Sequence, residues 1–160
     1  MTASEPRFLA DEMVGRLARY LRFVGCDTEY ARDTDDPAIL RRLRAEDRIL
    51  LTRDRALARA APRAVLLTSL HLADQFRAVR DAVPGVGREL RFERCTECNG
   101  TLAEYRPAPG DARPDGVPWD RVDAGLRLFR CGRCGHLYWE GSHTARIRGQ
   151  LAEWEAGSGP

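Results

Sequence analysis

Two cysteine pairs, CTEC at positions 95–98 and CGRC at 131–134, constrain this chain more than any other feature. A Cys-x2-Cys turn sets two thiolates on one side of a tight knuckle, and two such turns supply the four soft ligands of a tetrahedral zinc ion. A glycine follows each knuckle, Gly100 after Asn99 and Gly135 directly, and lets the backbone turn back toward the metal. Two unrelated pairs, or a redox dithiol, would not account for the repeated spacing. With Cys95, Cys98, Cys131 and Cys134 committed, no position is left for a bound water, so the expected Zn2+ is structural. His136 and His143 lie close by and read as bystanders, because the cysteines already complete the shell. A segment this small, interrupted by a long insert, has little core of its own, and bound metal is expected to supply most of its folding energy.

Cys26 is left over; it ends the run LRFVGC and reads as a small buried apolar residue. The opening MTASEPRFLADEM reaches an acidic pair before any apolar stretch is long enough for a signal core, and no run approaches the ~20 residues of a membrane span. A cytoplasmic location, no membrane partner and reduced thiols are therefore expected.

Residues 7 to 83 alternate apolar runs of strand length with amphipathic segments of helix length, the pattern of repeated βα units around a parallel sheet. RFLA is the first strand. A helix from about Met13 to Val24 follows, with Met13, Leu17, Tyr20, Leu21 and Val24 on one face and Arg16, Arg19 and Arg22 on the other. TEYA is a short second strand, and Asp36-Pro37 opens a helix with a capping side chain and an early proline. RILLT and AVLLT are the third and fourth strands, with RALARA between them. Leu72, Phe76, Val79 and Val83 form the stripe of a last helix. PGVG at 84–87 marks a hinge, dividing an α/β unit at 1–85 from a zinc ribbon at 90–147. The proline-rich insert between the cysteine pairs reads as an exposed loop. SHTARIRGQLAEWE is a helix capped by Ser142, and 148–160, the end of that helix and the tail, closes on a GSGP expected to fray.

Asp11 follows the first strand and Asp54 the third. In a sheet of order 2-1-3-4 these strands are neighbours whose connections leave in opposite directions, opening a crevice at their carboxyl ends. Asp33, Asp35 and Asp36 follow the second strand at the same edge. Carboxylates gathered without matched cations repel one another, and a hard divalent ion such as Mg2+ resolves the repulsion. Each of Asp11, Asp36 and Asp54 also stands where a helix begins and would serve as a cap on its own; their joint placement favours the metal. Two chemistries use such acids. A phospho-acceptor receiver domain also needs a lysine, and all 26 basic residues here are arginine. Metal-dependent phosphodiester hydrolysis needs none. Biased base composition of the gene is the simpler account of the missing lysine and phosphate recognition the functional alternative, for which Arg16, Arg19 and Arg53 near the crevice are suited.

Taken in order, FLADEMVGRLARYLRFVG, RILLTRD, CTECNGTL and CGRCGHLYWEGSH resemble the mut-seven C-terminal RNase family, over about residues 7 to 147. The resemblance implies a PIN-like parallel sheet flanked by helices, followed by a small zinc ribbon. It also implies an RNA-directed nuclease dependent on Mg2+ or Mn2+, with Asp11 and Asp54 at the acidic positions and Asp36 as third acid, Asp35 close behind. Asp74 in HLADQF is the best candidate for a fourth. The expected activity is that of an endoribonuclease. The competing expectation is an RNA-binding module without turnover, in which the ribbon's arginines, Tyr138 and Trp139 hold RNA; those aromatics serve equally well to cover the zinc knuckle.

Overall fold

The computed structural model describes residues 4–157. Four parallel strands form the first sheet: β1 (Arg7–Asp11), β2 (Asp27–Ala31), β3 (Ile49–Thr52) and β4 (Ala64–Leu66), in the order β2-β1-β3-β4. This is the strand order expected. Side chains of a strand alternate between its faces, and both faces here are covered. Phe8, Ala10, Ile49 and Leu51 enter one core, while Leu9 and Leu50 enter the other. Helices α1 (Gly15–Phe23) and α4 (Leu72–Ala82) cover the first face with Leu17, Leu21, Phe76 and Val79. On the second face, α2 (Asp36–Glu46) and α3 (Arg55–Ala60) contribute Ile39, Leu43 and Leu57. Cys26 lies in the first core, where burial pushes its thiol up to about 11 and keeps it protonated.

A second, antiparallel sheet is built from β5 (Leu102–Tyr105), β6 (Leu128–Cys131) and β7 (Leu137–Tyr138), in that order. A short helix, α5 (Trp119–Asp123), follows the exposed proline-rich insert. The last helix, α6 (Ser142–Ala156), returns to the first sheet: Ile147, Leu151 and Trp154 join its core, with the Trp154 ring 4.8 Å from Tyr20 and 5.4 Å from Phe76. Residues 158–160 of the expected fraying tail lie outside the described residues. Among those described, no helix is long and apolar enough to cross a membrane.

Several local expectations are corrected. Asp35, not Asp36, caps α2, accepting from the Ala38 N–H at 2.8 Å; Asp36 is the first helical residue, so Pro37 takes the second position. The residue before α6 is Gly141, so Ser142 lies inside the helix, and the Gly141 N–H donates to Thr144 Oγ1 at 2.8 Å. Met13 lies in a short 3-10 turn (Glu12–Val14) ahead of α1 and is 60% exposed rather than buried with Leu17. Arg22, expected on the solvent side of α1, is buried.

Arg22 and Asn99 explain how the two sheets are joined. Arg22 donates through Nε to the Thr28 carbonyl at 2.8 Å and through Nη1 to the Thr96 carbonyl of the first knuckle at 3.0 Å. Asn99 accepts the Thr28 N–H at 2.9 Å and donates through Nδ2 to Asp27 Oδ1 at 2.8 Å and Glu29 Oε1 at 3.1 Å. β2 is an edge strand whose backbone needs a partner on its open side, and the knuckle supplies one at Thr28.

Candidate functional site

The four cysteines place their sulfurs within 4.8 Å of one another. Cys95 and Cys134 approach to 3.6 Å and Cys98 and Cys131 to 3.4 Å. A tetrahedron with Zn–S bonds of ~2.3 Å has edges of about 3.8 Å, so these spacings suit zinc. Backbone N–H groups of Gly100 and Arg133 point at Cys98 and Cys131 sulfurs, at 3.4 and 3.3 Å, as is needed to steady thiolate charge. Gly100 has a steric reason to be glycine, because a Cβ there would lie 2.6 Å from the Cys131 sulfur; Gly135 has a conformational one, at φ +78°. The Tyr138 hydroxyl sits 3.1 Å from the Cys95 sulfur, and burial and that sulfur both raise its pKa. Tyr138 therefore covers the knuckle. His136 and His143 are exposed and take no part in the cluster.

The acidic residues occupy the carboxyl ends of β1 and β3. Asp11, 6% exposed, accepts the Met13 N–H through Oδ1 at 3.0 Å and the Thr52 hydroxyl through Oδ2. Thr52 Oγ1 in turn accepts the Asp54 N–H at 2.9 Å, and Asp54 Oδ1 accepts the Leu57 N–H at 3.0 Å as the cap of α3. Thr52 thus links the Asp11 carboxylate to the Asp54 backbone, a role that its place at the end of an apolar strand did not reveal. Asp36 stays exposed at the start of α2. Among the described residues the cysteine cluster is the one convergent group of three or more metal-ligating side chains, and Asp11, Asp36 and Asp54 do not form another. Among the described residues none of the three has an arginine within ion-pair distance, whereas Asp27 and Glu46 share the buried Arg48 at 2.8 and 2.7 Å. Asp74 differs: the Ser69 hydroxyl and Arg77 guanidinium, each at 2.9 Å, hold its carboxyl below the ordinary range.

Next to Asp11, the segment Glu12–Arg16 borders a cleft of about 400 Å3 shared with Tyr30, Arg53 and Leu70. Met13 and Leu70 are the large apolar side chains most exposed among the described residues, at 60% and 73%. Arg53 Nε is buried without a hydrogen-bond partner. Arg16 and Arg53 therefore face the same opening, while Arg19 does not: it borders a separate cavity between α1, the second sheet and α6, and pairs with Glu97 at 3.3 Å.

The fold is an α/β protein with a buried acid at the end of β1, a cleft bordered by arginines and four cysteines clustered so that they could hold a metal ion. The chain belongs to the Mut7-C RNAse domain family, whose profile matches residues 6–151. That membership points to a nuclease-type function and to RNA as substrate. No curated protein matches the chain, and no solved structure does.

Proposed function

We propose that the protein is a Mg2+- or Mn2+-dependent ribonuclease, cutting within the RNA chain, with a PIN-like unit at residues 1–85 and a zinc ribbon at 90–147. The observation that carries the reading is the Asp11–Thr52–Asp54 chain at the switch point between β1 and β3. These hard oxygen donors, unpaired with arginine, fit a divalent cation. Asp11 and Asp54 would hold it, with Asp36 as the third acid. When bound, the ion supplies an activated water and charge stabilisation at phosphorus. The chain's own groups do the rest. Thr52 and the Met13 N–H fix the Asp11 carboxylate so that it cannot rotate away, and Arg16 and Arg53 bind phosphates along the cleft. The cysteine cluster, with its shell full, holds the ribbon together and does no chemistry.

One observation favours a second reading. Asp11 and Asp54 each hold a backbone N–H at the start of a helical turn, as pure caps do, and Asp36 stands apart from them. On that reading the chain binds RNA without cutting it. Incubation of single-stranded RNA with the zinc-loaded protein separates the two. The ribonuclease reading expects cleavage on adding Mg2+ or Mn2+, none after chelation of those ions alone, and none with Asp11→Asn. Tight binding with no cleavage under any of these ions would leave the binding module.

A further inference from the structure

The cavity bordered by Arg19 encloses about 250 Å3 between α1, the second sheet and the start of α6. Its walls are aromatic: Phe23, Phe92 and Trp139, with His143 at 6.2 Å from the Phe23 ring. Phe92 is held rigid by a parallel stack on Phe129 at 4.6 Å. The border is cationic. Arg19, Arg91 and Arg94 line it beside Glu97, with Arg94 turned toward Asp27 at 3.9 Å and so left out of ligand binding. The ion pairs Arg19–Glu97 and Arg91–Glu93, at 3.3 and 3.6 Å, join half-exposed groups, and such pairs exchange readily for a phosphate. The space is below that of a drug-sized pocket and suits one flat ring system. It is separate from the acidic cleft, but α1 borders both. Arg16 and Arg19 are three residues apart on one helix, which makes them surface neighbours, one at each opening.

We infer that this cavity is a nucleotide subsite, taking one unpaired base of a bound RNA between Phe92, Trp139 and His143 while Arg19 and Arg91 hold its flanking phosphates. The inference rests on the reading that the chain acts on RNA, and it gives the ribbon a second task besides holding zinc. A base must leave its helical stack to enter such a space, and aromatic walls repay that cost for any base. Tyr138 is not part of the platform, being turned to Cys95.

The test uses the zinc-loaded full chain in Mg2+-free buffer with a short single-stranded oligoribonucleotide carrying 4-thiouridine. Ultraviolet cross-linking followed by mass spectrometry should place adducts on Trp139, Phe92 or His143. Trp139→Leu should lose those adducts and about tenfold in affinity by fluorescence anisotropy, with Trp139→Phe retaining most of both. Arg91→Glu, at an exposed position, provides the same test should Trp139→Leu not fold, and should also weaken binding. Adducts confined to other surfaces, or wild-type affinity in Arg91→Glu, would overturn the subsite, as would no binding. Cleavage with Mn2+ is scored separately. RNA cross-linked in the cavity but never cut supports the subsite and removes the ribonuclease reading; RNA cut without adducts there does the reverse.

Discussion

Thr52 reaches both of its partners from a fully buried position, and a valine in its place keeps the shape while removing both hydrogen bonds. Thr52→Val should lower stability by about 1–3 kcal/mol in urea denaturation, because a buried carboxylate oxygen loses its donor. Thr52→Ser should restore most of it. Asp54→Asn makes a sharper distinction. Asparagine caps nearly as well as aspartate, so a capping role alone predicts a change of about 1 kcal/mol or less. A metal-holding role predicts that cleavage falls by orders of magnitude while stability without Mg2+ is kept or rises. If Asp54→Asn and Asp11→Asn both cut RNA like wild type at saturating Mg2+ and Mn2+, the acids are caps. Asp27 contributes to the acid limb of stability. Burial alone would raise its carboxyl, but hydrogen bonds from Arg48 and Asn99, with the Arg48 and Arg94 charges, hold it down at about 2. Its folded value lies below the ~3.9 of an unfolded chain. The stabilisation is therefore present above about pH 4 and is lost as pH falls toward 2. Melting temperatures measured across that window should drop more steeply for wild type than for Asp27→Asn, and equal slopes would assign the acid limb to another group.

At the scale of elements, the strands were readable because their apolar runs are short, bounded and buried on both faces. Their order, 2-1-3-4, was a premise of the sequence reading rather than a deduction from it, and the sheet has that order. The cysteine knuckles were readable for a different reason, since ligand spacing is local. What could not be read is the polar joint between the knuckle and β2. Asn99 and Arg22 meet their partners across more than 70 positions, and buried polar contacts of that range leave no periodic trace in a sequence. The shift from Asp36 to Asp35 as cap has a simpler cause: two adjacent aspartates before Pro37 are both capable caps, and proline is accepted in either of the first helical positions. Helix α5, five residues long after a proline-rich insert, is too short to show a stripe. The knuckle also offers an element-scale prediction. In Gly100→Ala the added methyl would meet the Cys131 sulfur at 2.6 Å and Arg133 Cβ at 2.8 Å, so the two cysteine pairs must move apart. Competition against a chromogenic chelator should show zinc held at least tenfold more weakly, whereas Gly149→Ala, in open space on α6, should leave it unchanged.

For the molecule as a whole, the joint at Asn99 and Arg22 means that the ribbon and the parallel sheet cannot lose structure independently. Removing zinc with a strong chelator should lower the melting temperature of both together, and amide exchange at Thr28 should quicken, because its N–H partner belongs to the knuckle. An exchange rate at Thr28 indifferent to zinc would show the joint to be idle. The return of α6 carries a further consequence, for the order in which the protein is made. Tyr20 donates its hydroxyl to Gln150, 130 residues later, and shares its core with Trp154. On the ribosome, the first sheet must wait with Tyr20 and Phe76 uncovered until the ribbon between has emerged. Zinc capture by the ribbon is expected to precede closure of the core, so that the supply of zinc would set how long that apolar face stays open to chaperones. In pulse-labelled synthesis, zinc limitation should lengthen the protease-sensitive interval of the new chain; an interval unchanged by zinc would show that α6 docks without the ribbon's help.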